Sequence, residues 1–231
     1  MSQCVVLFSG GIDSTTVLYW ALAKGRDVQA LTFDYGQRHN VEVRLARRTA
    51  RKAAVPQTIL KIDLGQVGGS ALTDKAIELT RYKKLAEMKP GPPATYVPFR
   101  NGILLALAAA WAEARGILEI VCGFNIIDSP DYPDTRRSFV RAMEKAVNAG
   151  TKAAFGGEKI KITAPFVQMK KSEIIRLGLS LGADYSHSVS CYAGGEIPCG
   201  ACSSCLLRER AFAEAGVPDP LIQRLRKEGR R

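Results

Sequence analysis

Cys4-Val5-Val6-Leu7-Phe8-Ser9-Gly10-Gly11-Ile12-Asp13-Ser14-Thr15-Thr16 is the stretch whose reading decides the fold. Cys4 to Phe8 is an apolar run without polar alternation, the pattern of a strand buried on both faces. A helical pattern follows from Ser14 to Lys24, so the turn lies between the two. Paired glycines let the backbone bend sharply and approach a ligand closely. Free N–H groups at the start of the next helix then favour a phosphate. Ser9, Ser14 and Thr15 add hydroxyl donors. Asp13 would repel a phosphate directly, and suits a helix N-terminus or a contact through Mg²⁺. The spacing is neither G-x-x-x-x-G-K-[ST] nor G-x-G-x-x-G. A tight turn with a helix cap is the plainer alternative, but a position directly after a buried first strand favours phosphate binding.

Outward from this loop the alternation continues. Strands are expected at Val28 to Phe33, Gln57 to Ile62, Leu118 to Phe124 and Lys159 to Thr163, and helices at Val41 to Ala54, Asn101 to Arg115 and Arg137 to Ala149. That order predicts a doubly wound, Rossmann-like sheet of about five parallel strands with helices on both faces. Leu64 to Thr95, with Gly68-Gly69 and Pro90-Gly91-Pro92-Pro93, reads as a connecting segment rather than a domain linker. The last fifty or so residues change character. The expected division is an α/β domain over 1–181 that carries the phosphate-binding loop and a cysteine-bearing, helical segment over 182–231 packed on it.

With 46% hydrophobic and 24% charged residues in 231, disorder is excluded as the main state. The longest apolar run, Ile103 to Ala112, is half a bilayer span and is closed by Glu113 and Arg115, which excludes a membrane helix. Met1-Ser2-Gln3 lacks a basic region ahead of an apolar stretch, so the expectation is a cytosolic chain without a secretory signal. The net charge of +11 fits an anionic ligand or partner, or merely solubility. The basic residues are not interleaved with aromatics, so no single-strand stacking platform is indicated.

Cys191, Cys199, Cys202 and Cys205 are spaced C-x7-C-x2-C-x2-C. Clustered cysteines in a cytosolic chain argue for a metal rather than disulfides. Four thiolates without a histidine or an open position describe a closed, structural Zn²⁺ site, with an iron–sulfur cluster as the competitor. Cys4 and Cys122 fall in predicted strands and read as small core residues.

Ser9-Gly10-Gly11-Ile12-Asp13-Ser14 resembles the pyrophosphate loop of the N-type ATP pyrophosphatases. Along the whole chain the resemblance narrows to the 7-cyano-7-deazaguanine synthases. It is carried by Asp34-Tyr35-Gly36-Gln37-Arg38-His39, Tyr96-Val97-Pro98-Phe99-Arg100-Asn101, Gly123-Phe124-Asn125 leading to Asp128, Tyr132-Pro133-Asp134-Thr135-Arg136, Lys171-Ser172-Glu173-Ile174 and Ser190-Cys191-Tyr192. The resemblance implies an adenine nucleotide alpha hydrolase-like fold and an ATP-dependent ligase forming a C–N bond. Its substrates would be 7-carboxy-7-deazaguanine and ammonia, its cofactors ATP, Mg²⁺ and one structural Zn²⁺. It further implies a homodimer, acting in the cytoplasm without obligatory nucleic acid and in queuosine or archaeosine precursor synthesis.

On that resemblance, ATP contacts run through Phe8, Ser9, Gly10, Gly11, Ile12, Asp13, Ser14, Thr15, Thr16, Val17 and Leu18. Asp13, Ser14, Arg100 and Lys171 are the candidate catalytic residues, and Arg100, Asn101, Asp134 and Arg136 the candidate substrate contacts. The residues themselves give partial support. An arginine at a helix N-terminus opposes the dipole, which favours a ligand role for Arg100. Asp134 and Arg136 follow the fourth strand, at the edge where open α/β sheets bind ligands. His39 is held as a candidate by its motif, and His187 is assigned to packing or solvent contact. Two rivals stay open: a tRNA-modifying thiolase or ligase with the same loop, and a non-catalytic metal module that binds nucleic acid.

Overall fold

A computed structural model describes residues 2–38, 40–128 and 131–230; His39 lies outside them. Five parallel strands form one sheet in the order β3-β2-β1-β4-β5, with β1 Gln3–Leu7, β2 Asp27–Asp34, β3 Gln57–Lys61, β4 Glu119–Val121 and β5 Lys161–Thr163. The chain winds outward from β1 to β3, then returns across β1 to add β4. The order therefore reverses between β1 and β4, and their carboxyl ends open a crevice there.

Side chains alternate across β1, as the strand period of two requires. Val5 faces one core with Leu31 and Phe33 of β2, covered by α3 (Arg100–Glu113) and α4 (Arg137–Gly150). Cys4 and Val6 face the other, covered by α1 (Ile12–Ala23), α2 (Val41–Lys52) and α6 (Lys171–Ser180). A one-turn α5, Lys152–Phe155, precedes β5. Burial on both faces is what allows the strands to be apolar throughout.

Several boundaries differ from the sequence reading for identifiable reasons. α1 starts at Ile12, two residues early, because Gly11 takes the extended cap position. α2 stops at Lys52, and Ala54 just beyond it has turned left-handed with φ 53°. β5 begins only at Lys161, since the Asn148 side chain occupies both the N–H and the carbonyl of Ile160, at 2.9 and 2.8 Å. β4 is cut to three residues: the Cys122 N–H still donates to the Thr163 carbonyl at 2.9 Å, and at Gly123 the chain passes the start of α1.

The C-terminal segment carries α7 Ser203–Ala215 and α8 Pro220–Lys227. Asp219 caps α8 by accepting the Leu221 N–H at 2.9 Å. The segment seats on the α1, α2 and α6 side through two apolar clusters. Cys191, Cys202 and Cys205 pack with Leu45 of α2 and with Leu221 and Leu225. Tyr185, Ala211 and Phe212 pack with Ile12 and Ile175. The long connection between β3 and α3 holds one short 3₁₀ turn, Leu85–Glu87, and is pinned to the cysteine loop by the Tyr82 N–H on the Ala201 carbonyl at 2.7 Å. No helix among the described residues is long and apolar enough to cross a membrane.

Candidate active site and metal centre

A cavity of about 310 Å³ opens at the carboxyl ends of the strands, over the point where the strand order reverses. One end is the loop after β1: Phe8, Ser9, Gly11, Ile12, Asp13 and Ser14 all line it. No side chain caps the N-terminus of α1, which leaves its first amides for a ligand. The two hydroxyls that flank the turn lie 3.1 Å apart, Ser9 Oγ to Ser14 Oγ, and Ser14 also donates to the Gly11 carbonyl at 3.1 Å.

The loop is shaped from behind by two glycines. Gly10 has φ 81°, and a Cβ there would lie 2.8 Å from the Ala46 Cβ of α2. A Cβ on Gly123, just beyond β4, would lie 2.9 Å from the Asp13 carbonyl. Gly10 thus acts by letting α2 approach, and does not itself line the cavity.

Lys171 reaches the same end from the first residue of α6. Its Nζ donates to Asp13 Oδ2 at 2.6 Å, with both side chains mostly covered. Asp13 Oδ1 is buried without a hydrogen-bond partner, so one carboxylate oxygen remains for a cation or a bound group. The opposite wall is aromatic and cationic. Arg100 donates from Nη1 to the Tyr35 hydroxyl at 3.2 Å and lies over the Tyr35 ring, while its Nε has no partner. Burial pushes the Tyr35 and Tyr192 phenols above the ordinary range, so both enter the cavity as neutral donors.

The structure does not bring every expected residue to the cavity. Val17 and Leu18 are core residues of α1, fully buried beneath the sheet. Thr16 is fixed by its own helix and by the Tyr185 hydroxyl at 2.6 Å, and Thr15 is fully buried with its hydroxyl unpartnered. None of these four lines the cavity, because one turn of helix carries them away from the loop. Asn101 lines the cavity, yet its N–H and side-chain amide are held by Asp134, at 3.0 and 3.2 Å. Asp134 therefore serves the buried start of α3 in place of a local cap, which is why it sits behind the wall. Arg136 is exposed at the start of α4, outside the lining.

Residues not singled out for the site fill the remaining wall. Tyr35, Asn125, Tyr132 and Tyr192 stood in recognised motifs without an assigned role. Arg208 was missed. It is 3% exposed on α7 and is held by Asp219 at 2.6 and 2.8 Å and by the Ser188 carbonyl at 2.8 Å. Its sequence signal was spacing: Arg208 shares a helical stripe with Cys205 and Phe212, so a charge stands where apolar residues belong.

The four cysteines converge, with all four sulfurs within 4.8 Å of one another and Cys199 Sγ 4.0 Å from Cys205 Sγ. Tetrahedral thiolate ligation at about 2.3 Å requires sulfurs roughly 3.8 Å apart, so the group fits one ion. Backbone amides already point at the sulfurs, Cys199 N–H to Cys191 Sγ at 3.3 Å and Cys202 N–H to Cys199 Sγ at 3.4 Å. Such donors favour thiolates. Cys4 and Cys122 are the contrast: burial pushes both thiols up to about 12, as inert core residues.

A parallel sheet of this order, a glycine-turned loop feeding α1 and a cavity at the reversal define a doubly wound α/β protein with its ligand site at the switch point of the sheet. Solved structures share that fold. A 4-thiouridine synthetase in complex with RNA and bound ATP superposes with a TM-score of 0.51 at 18% identity, over 99% of this chain and 53% of that one. A predicted tRNA methyltransferase subunit from Methanocaldococcus jannaschii also reaches 0.51, at 18% identity, over 78% of this chain and 76% of that one. Residues 3–216 match the family described as queuosine biosynthesis protein QueC, and the chain belongs to that family. Relatives named 7-cyano-7-deazaguanine synthase are 46% identical in Nostoc punctiforme, over 95% of this chain and 99% of theirs. In Trichodesmium erythraeum the identity is 47%, over 95% and 100%.

Proposed function

We propose that this chain is an ATP-dependent ligase that converts 7-carboxy-7-deazaguanine and ammonia to 7-cyano-7-deazaguanine. The observation that carries the reading is the pairing of the uncapped loop and α1 amides with Lys171 and Asp13, all facing one cavity. Carboxylates do not condense with ammonia in water, so each oxygen must first become a leaving group. The substrate carboxylate attacks the α-phosphorus of ATP and expels pyrophosphate. Ammonia then displaces AMP to give the amide. A second adenylation, now on the amide oxygen, followed by loss of a proton and AMP, gives the nitrile.

The loop amides, Ser9 and Ser14 hold the phosphates, and Lys171 offsets the charge that grows on the phosphoryl oxygens. Asp13 orients Lys171 through Oδ2, and its unpartnered Oδ1 would help to hold Mg²⁺, which would offset phosphate charge when bound. Arg100, in the opposite wall, is suited to the substrate carboxylate through charge-assisted hydrogen bonds. Cys191, Cys199, Cys202 and Cys205 would hold zinc, which would supply folding energy and no chemistry. The reading extends to a functional division at about residue 181, a cytoplasmic homodimer, and turnover without RNA.

The test is AMP release by purified protein given ATP, Mg²⁺, ammonium and the carboxylate. AMP should appear only when all are present, and without added RNA. A dependence on tRNA would point instead to an RNA-modifying ligase.

A further inference from the structure

Asp128 lies in the loop after β4, and its carboxylate is 9% exposed. Its two oxygens are both committed. Oδ2 accepts the backbone N–H of Lys171 at 2.6 Å, and Oδ1 accepts Arg210 Nη2 at 2.5 Å. The Lys171 amide is the first of α6, a donor that the helix itself cannot satisfy, and a carboxylate there is also favoured by the helix dipole. The next residue back is fixed separately, the Lys170 N–H donating to Glu173 at 2.7 Å. Asn125 braces the loop by donating to the Met169 carbonyl and accepting the Asp128 N–H at 3.3 Å.

Arg210 is on α7, the helix that also carries Cys205 and the cavity residue Arg208. The connection is continuous: the cysteine cluster holds the start of α7, Arg210 holds Asp128, and Asp128 holds the first amide of α6. From that same residue Lys171 extends to Asp13 at 2.6 Å. A lysine has four rotatable side-chain bonds, so its ammonium is placed only as well as its backbone is.

We propose that Asp128, gripped by Arg210, is the positioning residue that sets Lys171 against the phosphate loop, so that the cysteine-bearing segment governs the rate at a site it does not form alone. The inference rests on the reading of Lys171 as the cation that serves ATP. Neither Asp128 nor Arg210 lines the cavity, so their effect passes through Lys171.

Asp128→Asn keeps the shape and an oxygen for the Lys171 amide but removes the charge that holds Arg210. Arg210→Gln removes the same contact from the other side and serves if the first variant does not fold. Both should lower kcat for AMP release about tenfold with KM for ATP nearly unchanged, because a displacement of a fraction of an ångström suffices. Hydrogen exchange at the amides of residues 171–173 should quicken in both, with metal content unchanged. In a Lys171→Ala background, Asp128→Asn should cost nothing further. Normal kcat and normal exchange in a folded, metal-loaded variant would overturn the proposal, as would losses that multiply with that of Lys171→Ala. Failure of the unmodified chain to release AMP would sink the functional reading instead, and the exchange measurement would still decide the positioning.

Discussion

Replacing Gly123 by alanine adds one methyl group where the backbone after β4 closely approaches the phosphate loop from behind. Its Cβ would lie 2.9 Å from the carbonyl carbon and oxygen of Asp13 and 3.0 Å from the Ser14 nitrogen. Ordinary contact begins near 3.4 Å, so the loop after β4 and the start of α1 must separate by about 0.5 Å (3.4 − 2.9). Both partners are backbone, and no side chain can rotate away. Overpacking of this kind costs about 1–3 kcal/mol, which for a chain of this size lowers Tm by roughly 2–12 °C. The larger effect should be on turnover. A 1 Å misplacement costs up to about 100-fold, so half of that displacement at Asp13 and Ser14 should cost about tenfold in kcat. Melting curves and AMP release on the same preparation measure both. Gly150→Ala is the control, since a Cβ there meets nothing within 4 Å, and it should stay within about 0.5 kcal/mol. A Gly123→Ala enzyme with unchanged Tm and turnover would refute the claim that this approach shapes the loop.

Cys202→Ala should abolish retention of the metal and loosen the segment from Ser190 to Cys205, read as loss of bound metal by elemental analysis and a lower Tm; zinc near one per chain supports the assignment, and iron with sulfide overturns it. Asp219→Asn should destabilise by about 3 kcal/mol in urea denaturation, because Arg208 is 3% exposed and would keep its charge without its partner. Burial raises the Glu196 carboxyl, but hydrogen bonds from Arg224 and Arg230 outweigh it and hold the group below its ordinary 4.5. The unfolded chain therefore binds that proton first as the solution is acidified, so the contribution is present above pH 4.5 and is lost below it. Glu196→Gln should flatten the fall in stability across that acid limb.

The parts of the fold that local chemistry dictates were legible. Val5, Val6 and Leu7 could only be a strand buried on both faces, and Gly10-Gly11 could only be a turn into α1. The spacing of Cys199, Cys202 and Cys205 announced a shared ion, and the sulfurs do converge. What escaped was set by contacts distant in sequence. The start of β5 is decided by the Asn148 side chain, twelve residues from the Ile160 it occupies. The role of Asp134 depends on α3, whose buried Asn101 N–H its carboxylate accepts across 33 residues. A sequence shows Asp134 in a loop at the right edge of the sheet, and it does not show which way the carboxylate turns. The same holds for Thr16, Val17 and Leu18: they follow a ligand-binding loop in the chain, but helix geometry sends them into the core. Arg208 was missed because a charged residue on an apolar stripe reads as an irregularity until Asp219 is seen beside it.

The most direct test of adenylation at the substrate carboxylate is an oxygen tracer. Substrate 7-carboxy-7-deazaguanine labelled with ¹⁸O at both carboxylate oxygens is turned over in unlabelled water with ATP, Mg²⁺ and ammonium, and AMP and nitrile are read by mass spectrometry. The expected result is two AMP per nitrile, each carrying one labelled oxygen on its phosphate. Label appearing in water or in inorganic phosphate, with unlabelled AMP, would contradict it.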